Sequence, residues 1–81
     1  MNTDMEIKMK RVFENAGIEF PEDTQLDLEK SGVDSVLLLN LIVNIEKEYE
    51  IKIPDDELLY ENFSSLSTIY EFVNRLLQKE E

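Results

Sequence analysis

Few side chains in this sequence can do chemistry, and the one that stands out is Ser35, in the stretch Gly32-Val33-Asp34-Ser35-Val36. An acid and a hydroxyl sit at the mouth of the longest apolar run, Val36 to Val43. The hydroxyl has no base of its own. The chain contains neither histidine nor cysteine, so no Ser/His or Cys/His pair, disulfide or thiolate metal site can be built. As an autonomous catalyst Ser35 is excluded, and no facing pair of carboxylates suggests a hydrolase. The local pattern by itself favours a helix N-cap at Ser35, with Ser31-Gly32-Val33-Asp34 able to form a capping box. Asp55, Asp56 and Glu57 lack the spacing and glycine of a calcium loop and suit the positive end of a short helix instead. No metal site is expected.

The elements that must position Ser35 follow from periodicity. Met5, Met9, Val12, Phe13 and Ala16 recur at helical spacing, predicting a first helix over Asp4 to Ala16, ended by Gly17. Lys8, Lys10 and Arg11 fall on its polar side and read as a solvated face. Gly17 to Asp34 reads as a long ordered loop, with Ile18, Phe20, Leu26, Leu28 and Val33 as apolar anchors. A second helix is predicted over Val36 to Glu50. At about 100° per residue, Leu38, Leu41, Ile42, Ile45 and Tyr49 face the core. Val36, Asn40, Val43 and Lys47 lie opposite, with Leu37 and Leu39 on the flanks. The apolar surplus of Val36, Leu37, Leu39 and Val43 can mark a central helix packed on most sides, but beside Ser35 it reads better as a partner-binding patch. Ile51-Lys52-Ile53 could be extended, without a strand partner. Pro54 opens a short helix over Asp55 to Glu61 that turns Leu58, Leu59 and Phe63 inward. Ser64-Ser65 caps a last helix running to about Gln78. Its stripe is Leu66, Ile69, Tyr70, Val73, Leu76 and Leu77, and residues 79–81 fray. The expected fold is all-α, a four-helix bundle of three main helices and one short one, closed on one core as a single domain over residues 1–81.

The net charge is −11, from 19 acids against 8 bases. Nucleic acid and anionic membranes would repel such a chain, and no segment is long enough to span a bilayer. Partners with basic docking patches are the natural complement. The lack of a signal peptide, like the lack of cysteine, fits the cytoplasm. The termini at Met1 and Glu81 suggest a free-standing monomer.

The order of these parts resembles the acyl and peptidyl carrier proteins over about Met5 to Leu77. The resemblance is carried by Gly32-Val33-Asp34-Ser35-Val36, by Ile45-Glu46-Lys47-Glu48-Tyr49-Glu50-Ile51-Lys52-Ile53-Pro54 and by Phe63-Ser64-Ser65-Leu66, together with the acidity. It implies a bundle with a long first loop. It also implies that Ser35, preceded by Asp34, receives 4′-phosphopantetheine from coenzyme A through a separate phosphopantetheinyl transferase. The arm's thiol would hold an acyl or aminoacyl group as a thioester and present it to loading and condensing enzymes. The carrier itself would not be an enzyme. Docking would fall to Val36, Leu37, Leu39, Asn40, Val43 and Lys47. Fatty-acid-synthesis carriers resemble one another in acids early on the second helix, where this chain has Leu37 and Asn40, with Lys47 in place of a later acid. The departure favours polyketide or nonribosomal-peptide biosynthesis over a housekeeping fatty acid carrier. A chamber for cargo would be lined by Leu41, Ile45, Ile53, Leu58 and Ile69; a filled core is the alternative. An acidic adaptor that is never modified and only binds a protein is the rival function.

Overall fold

The computed structural model describes residues 3–79. Helix α1 spans Thr3–Ala16, α2 spans Ser35–Tyr49 and α3 spans Leu66–Lys79, and no strand occurs among the described residues. The expectation for residues 80–81 lies outside them.

Helices α1 and α2 pack along each other. The predicted stripe of α1 is the face that is buried, with Met9, Val12 and Phe13 at 0% exposure. From α2 come Leu41, Ile45 and Tyr49, and from α3 Leu66, Ile69, Tyr70, Val73 and Leu76. Leu38 and Ile42 are only half-buried at its edge. Phe72, absent from the predicted stripe, is also buried and meets the Phe63 ring edge-on at 5.1 Å. Of the residues proposed to line a cargo chamber, Leu41, Ile45, Ile53 and Ile69 are packed in this core while Leu58 is at the surface. In this structure the first four belong to one packed cluster in the core, and Leu58 is not part of it.

Two helices and one turn of the loop end the same way, with one residue in the left-handed region followed by an apolar residue that packs inward. After α1, Gly17 has φ +80° and the Ile18 N–H bonds the Phe13 carbonyl at 2.9 Å. In the loop, Gly32 has φ +106° and the Val33 N–H reaches back to the Leu28 carbonyl at 3.0 Å. After α2 the left-handed residue is Glu50, φ 54°, with the Ile51 N–H on the Glu46 carbonyl at 3.1 Å. These closures satisfy carbonyls that a helix end leaves open. Helix α2 thus stops at Tyr49, one residue short of the expected Glu50, which takes the left-handed closing position instead. The carboxylate of Glu46 then accepts the Ile53 N–H at 2.8 Å. Residues 51–53 run extended, and this side chain replaces the missing strand partner.

The short helix expected over Asp55 to Glu61 is instead two 3-10 turns, Asp55–Glu57 and Tyr60–Asn62, separated by an extended Leu59. The segment is anchored at both ends, by Glu46 on Ile53 and by Phe63 in the core. A 3-10 turn advances about 2.0 Å per residue against about 1.5 Å for an α-helix, and the extended break adds more, so this form covers the span. It also turns Leu58 and Leu59 outward, against expectation, leaving them 42% and 48% exposed. Helix α3 opens with a reciprocal cap. The Thr68 N–H donates to Ser65 Oγ at 3.3 Å, and the Ser65 N–H donates to Thr68 Oγ1 at 3.0 Å.

The basic cluster of α1 is exposed, as expected, and also contacts other parts of the chain. Arg11 pairs with Glu48 at 2.6 Å, Lys8 Nζ lies 5.7 Å from the centre of the Tyr49 ring, and Lys10 Nζ 5.8 Å from that of Phe20. The Tyr49 hydroxyl donates to the Met5 carbonyl at 2.9 Å, joining α2 to α1. Burial foremost, then the neighbouring Tyr70 and Glu48, raises its pKa far above the usual phenol value, so it remains a donor. The Tyr70 hydroxyl is buried without a hydrogen-bond partner among the described residues.

Two stability predictions follow from these ends and this orphan. Glu50→Gly should stabilise by about 1 kcal/mol, because the left-handed conformation costs a residue with a Cβ more than it costs glycine. The melting temperature should rise by about 4–8 °C for a domain of this size. Tyr70→Phe removes a buried hydroxyl with no partner and should stabilise by about 1 kcal/mol. It would be read as a higher urea midpoint at unchanged slope; a lower midpoint would mean that the hydroxyl is satisfied in solution.

Candidate functional site

The loop before α2 is held as a fixed approach to Ser35. Ile18 and Leu28 are buried and Phe20 and Val33 half-buried, so those anchors pack as expected; Leu26 instead stays 39% exposed, and Pro21 is buried beside them. Two backbone bonds tie the loop to the start of α3, Leu28 N–H to the Ser64 carbonyl at 2.8 Å and Ser67 N–H to the Thr24 carbonyl at 2.9 Å. The Ser31 hydroxyl donates to the Leu28 carbonyl at 2.8 Å, so it does not take part in the capping box considered from sequence.

The cap of α2 falls on Asp34. Its backbone is extended (φ −92°, ψ −176°) and its Oδ1 accepts the Leu37 N–H at 2.9 Å. Ser35 is therefore the first helical residue, not the cap that its local pattern favours. It is exposed, and no hydrogen bond occupies its hydroxyl among the described residues. The helix end holds this serine on a rigid element, with the positive end of the helix dipole beside it.

Beyond Ser35, the outward face of α2 carries Val36 at 68% exposure, Leu39 at 62% and Val43 at 42%. Asn40 and Lys47 share that exposure. Leu37 departs from the expected patch. It is half-buried, packs against the core and helps line a depression with Ile18, Leu26, Leu28 and Val33. There is no acid in the first turn of α2.

Sequence reading missed Tyr60. Its hydroxyl donates to Asp27 Oδ1 and accepts the Glu29 N–H at 3.3 Å, latching the second 3-10 turn to the loop across more than thirty residues of chain. The Tyr60 hydrogen bond is the main cause that holds the Asp27 carboxyl below its usual range, while burial and then Asp27 raise the Tyr60 phenol. Tyr60 lines an open groove of about 440 Å³ together with Glu29, Gly32, Val33, Asp34, Ser35 and Leu38. The one signal in the sequence was a tyrosine after two leucines in a segment expected to point inward. Among the described residues no cluster of side chains could hold a metal ion, and no helix is long and apolar enough to cross a membrane.

Comparison with known proteins gives two findings. The family described as "Phosphopantetheine attachment site" matches residues 8–73. A relative, aminoacyl carrier protein 1 of Bradyrhizobium diazoefficiens, is 32% identical over 81 aligned positions that cover 95% of this chain and 90% of the relative. No solved structure matches.

The two neighbours Asp34 and Ser35 should separate cleanly in stability. Asp34→Ala should cost about 1 kcal/mol by orphaning the Leu37 N–H. Ser35→Ala should leave the urea midpoint within about 0.5 kcal/mol of the wild type, as for surface substitutions away from such features. Equal losses would put part of the cap back on Ser35.

Proposed function

The chain belongs to the phosphopantetheine-attachment family of carrier proteins, which bear 4′-phosphopantetheine covalently and are not themselves catalytic, and from that premise we propose that the Ser35 hydroxyl is the attachment point and an aminoacyl group the cargo. The observation that carries the site is the division of labour at the start of α2: Asp34 caps the helix and Ser35 stays exposed with its hydroxyl unengaged. The residues present fit the group. A phosphodiester on Ser35 Oγ lies at a helix N-terminus, where negative charge is stabilised. The chain has no histidine or cysteine to activate the serine, so a separate phosphopantetheinyl transferase makes the bond. When bound, the arm's thiol holds the cargo as a thioester. The protein's own residues then orient that arm and present a docking face.

The docking face is Val36, Leu39, Asn40, Val43 and Lys47, with Leu37 contributing from its half-buried edge. Burying one of the larger apolar side chains against a partner contributes about 1.5–3 kcal/mol, enough for transient docking and too little for a permanent complex. The acid surplus steers partners with basic rims toward it. The absence of acids in the first turn of α2 supports work in specialised biosynthesis, of the polyketide or nonribosomal-peptide type, over a housekeeping fatty acid carrier.

Intact-protein mass tests the site. After incubation with coenzyme A and a broad-specificity phosphopantetheinyl transferase, the wild type should gain one phosphopantetheine and Ser35→Ala none. A gain in folded Ser35→Ala would move the site elsewhere, and no gain in either protein would return the unmodified adaptor to the front. Complementation of a lost housekeeping fatty acid carrier would overturn the choice of pathway.

A further inference from the structure

We propose that the groove beside Ser35 is a cradle for the first part of the arm attached there, and that Tyr60 is the residue that positions it. The proposal rests on Ser35 being the attachment point. The groove is built before any arm is added. Its loop wall is set by the left-handed turn at Gly32 and by the Leu28–Ser64 backbone bond. Tyr60 is fixed from the other side by its two bonds, one donated to Asp27 and one accepted from the Glu29 N–H. A tyrosine 40% exposed to water, yet held at its hydroxyl from two directions, presents a ring in a set place.

The occupant follows from chemistry and tethering. Next to its phosphate the arm carries two geminal methyl groups, then a hydroxyl and an amide. Val33, Leu38 and the Tyr60 ring offer the methyls an apolar bed, and the Glu29 carboxylate can accept from the hydroxyl or the amide N–H. Its volume of about 440 Å³ lies within the range of about 300–1,000 Å³ common to small-molecule sites. Ser35 is itself part of the wall, so an arm fixed there faces the groove at a millimolar effective concentration, and a weak contact suffices to hold it. The thiol end lies beyond the groove. The cradle therefore reads the arm, leaves the cargo free for partner enzymes, and narrows the directions in which the arm leaves the surface.

The test uses the full chain, loaded enzymatically and checked by intact mass, and nuclear magnetic resonance of the arm. In the wild type the geminal methyl signals should shift upfield from those of free coenzyme A and show nuclear Overhauser contacts to the Tyr60 ring. Amide shifts between the unloaded and loaded proteins should cluster at residues 29–38 and 60. In Tyr60→Ala the methyl signals should return to their free positions while loading by mass persists. Leu59→Ala, an exposed neighbour outside the groove, should leave the contacts intact. A loaded wild type whose methyls match free coenzyme A, with no contact to Tyr60, would overturn the cradle and leave the attachment at Ser35 standing. Absence of the arm from Ser35 by mass would overturn the attachment, and the cradle with it.

Discussion

The hydrogen bond from the Leu37 N–H to the Asp34 carboxylate is the contact on which the arrangement at Ser35 depends. A helix start has unmet N–H groups, and some side chain before it must answer them. Two adjacent residues here are equipped to do so. Because the acid takes the task, the hydroxyl one step on is left without a structural duty. A carrier needs a hydroxyl that another enzyme can reach and that the fold does not require. The cap supplies both conditions, and it keeps the serine on a helix instead of a mobile loop.

Charge is distributed with the same economy. The eight basic residues could have offset part of the acid surplus locally. Several also contact groups of the same chain at its surface: Arg11 on Glu48, Arg75 on Glu57 at 3.0 Å, and Lys8 and Lys10 over aromatic rings. Exposed pairs of this kind stabilise little. All four cations stay exposed at the surface, and the acid surplus exceeds what they offset. Against that exterior, Val36, Leu39 and Val43 form an exposed uncharged strip, the face proposed for docking.

The buried faces of the three helices were legible because each needs only local spacing, as with Met9, Val12 and Phe13. Gly17 was legible as a stop because glycine pays least for a left-handed turn. Glu50 adopts the same conformation without that advantage, and what carries it is the burial of Ile51 and the grip of Glu46 on Ile53, neither visible in a local pattern. The misjudged segment, 55–61, fails for a related reason. Its propensities allow a helix, but it is broken into two 3-10 turns by an extended Leu59 between anchors at Ile53 and Phe63 that no local pattern reveals. Whether Asp34 or Ser35 caps α2 could not be read from two adjacent residues that both cap well. The latch of Tyr60 on Asp27 joins parts of the chain that no short window contains. The motif around Ser35 was therefore readable, and the surface that surrounds it was not.

The two ends of α2 are closed by nearby residues: Asp34 answers Leu37 at one end, and Glu46 answers Glu50, Ile51 and Ile53 at the other. Closing loops this short takes on the order of 10–100 ns, and helix growth about nanoseconds per residue. The closures at the two ends of α2 are thus among the contacts that can form earliest, while the distant latch and the loop ties to α3 join parts far apart in the chain. Chains rich in such local contacts reach the native state in microseconds to milliseconds. For a small acidic domain of a family that is modified before it works, the consequence lies in the order of events: the element bearing the proposed attachment serine is closed mainly by local contacts, which form early.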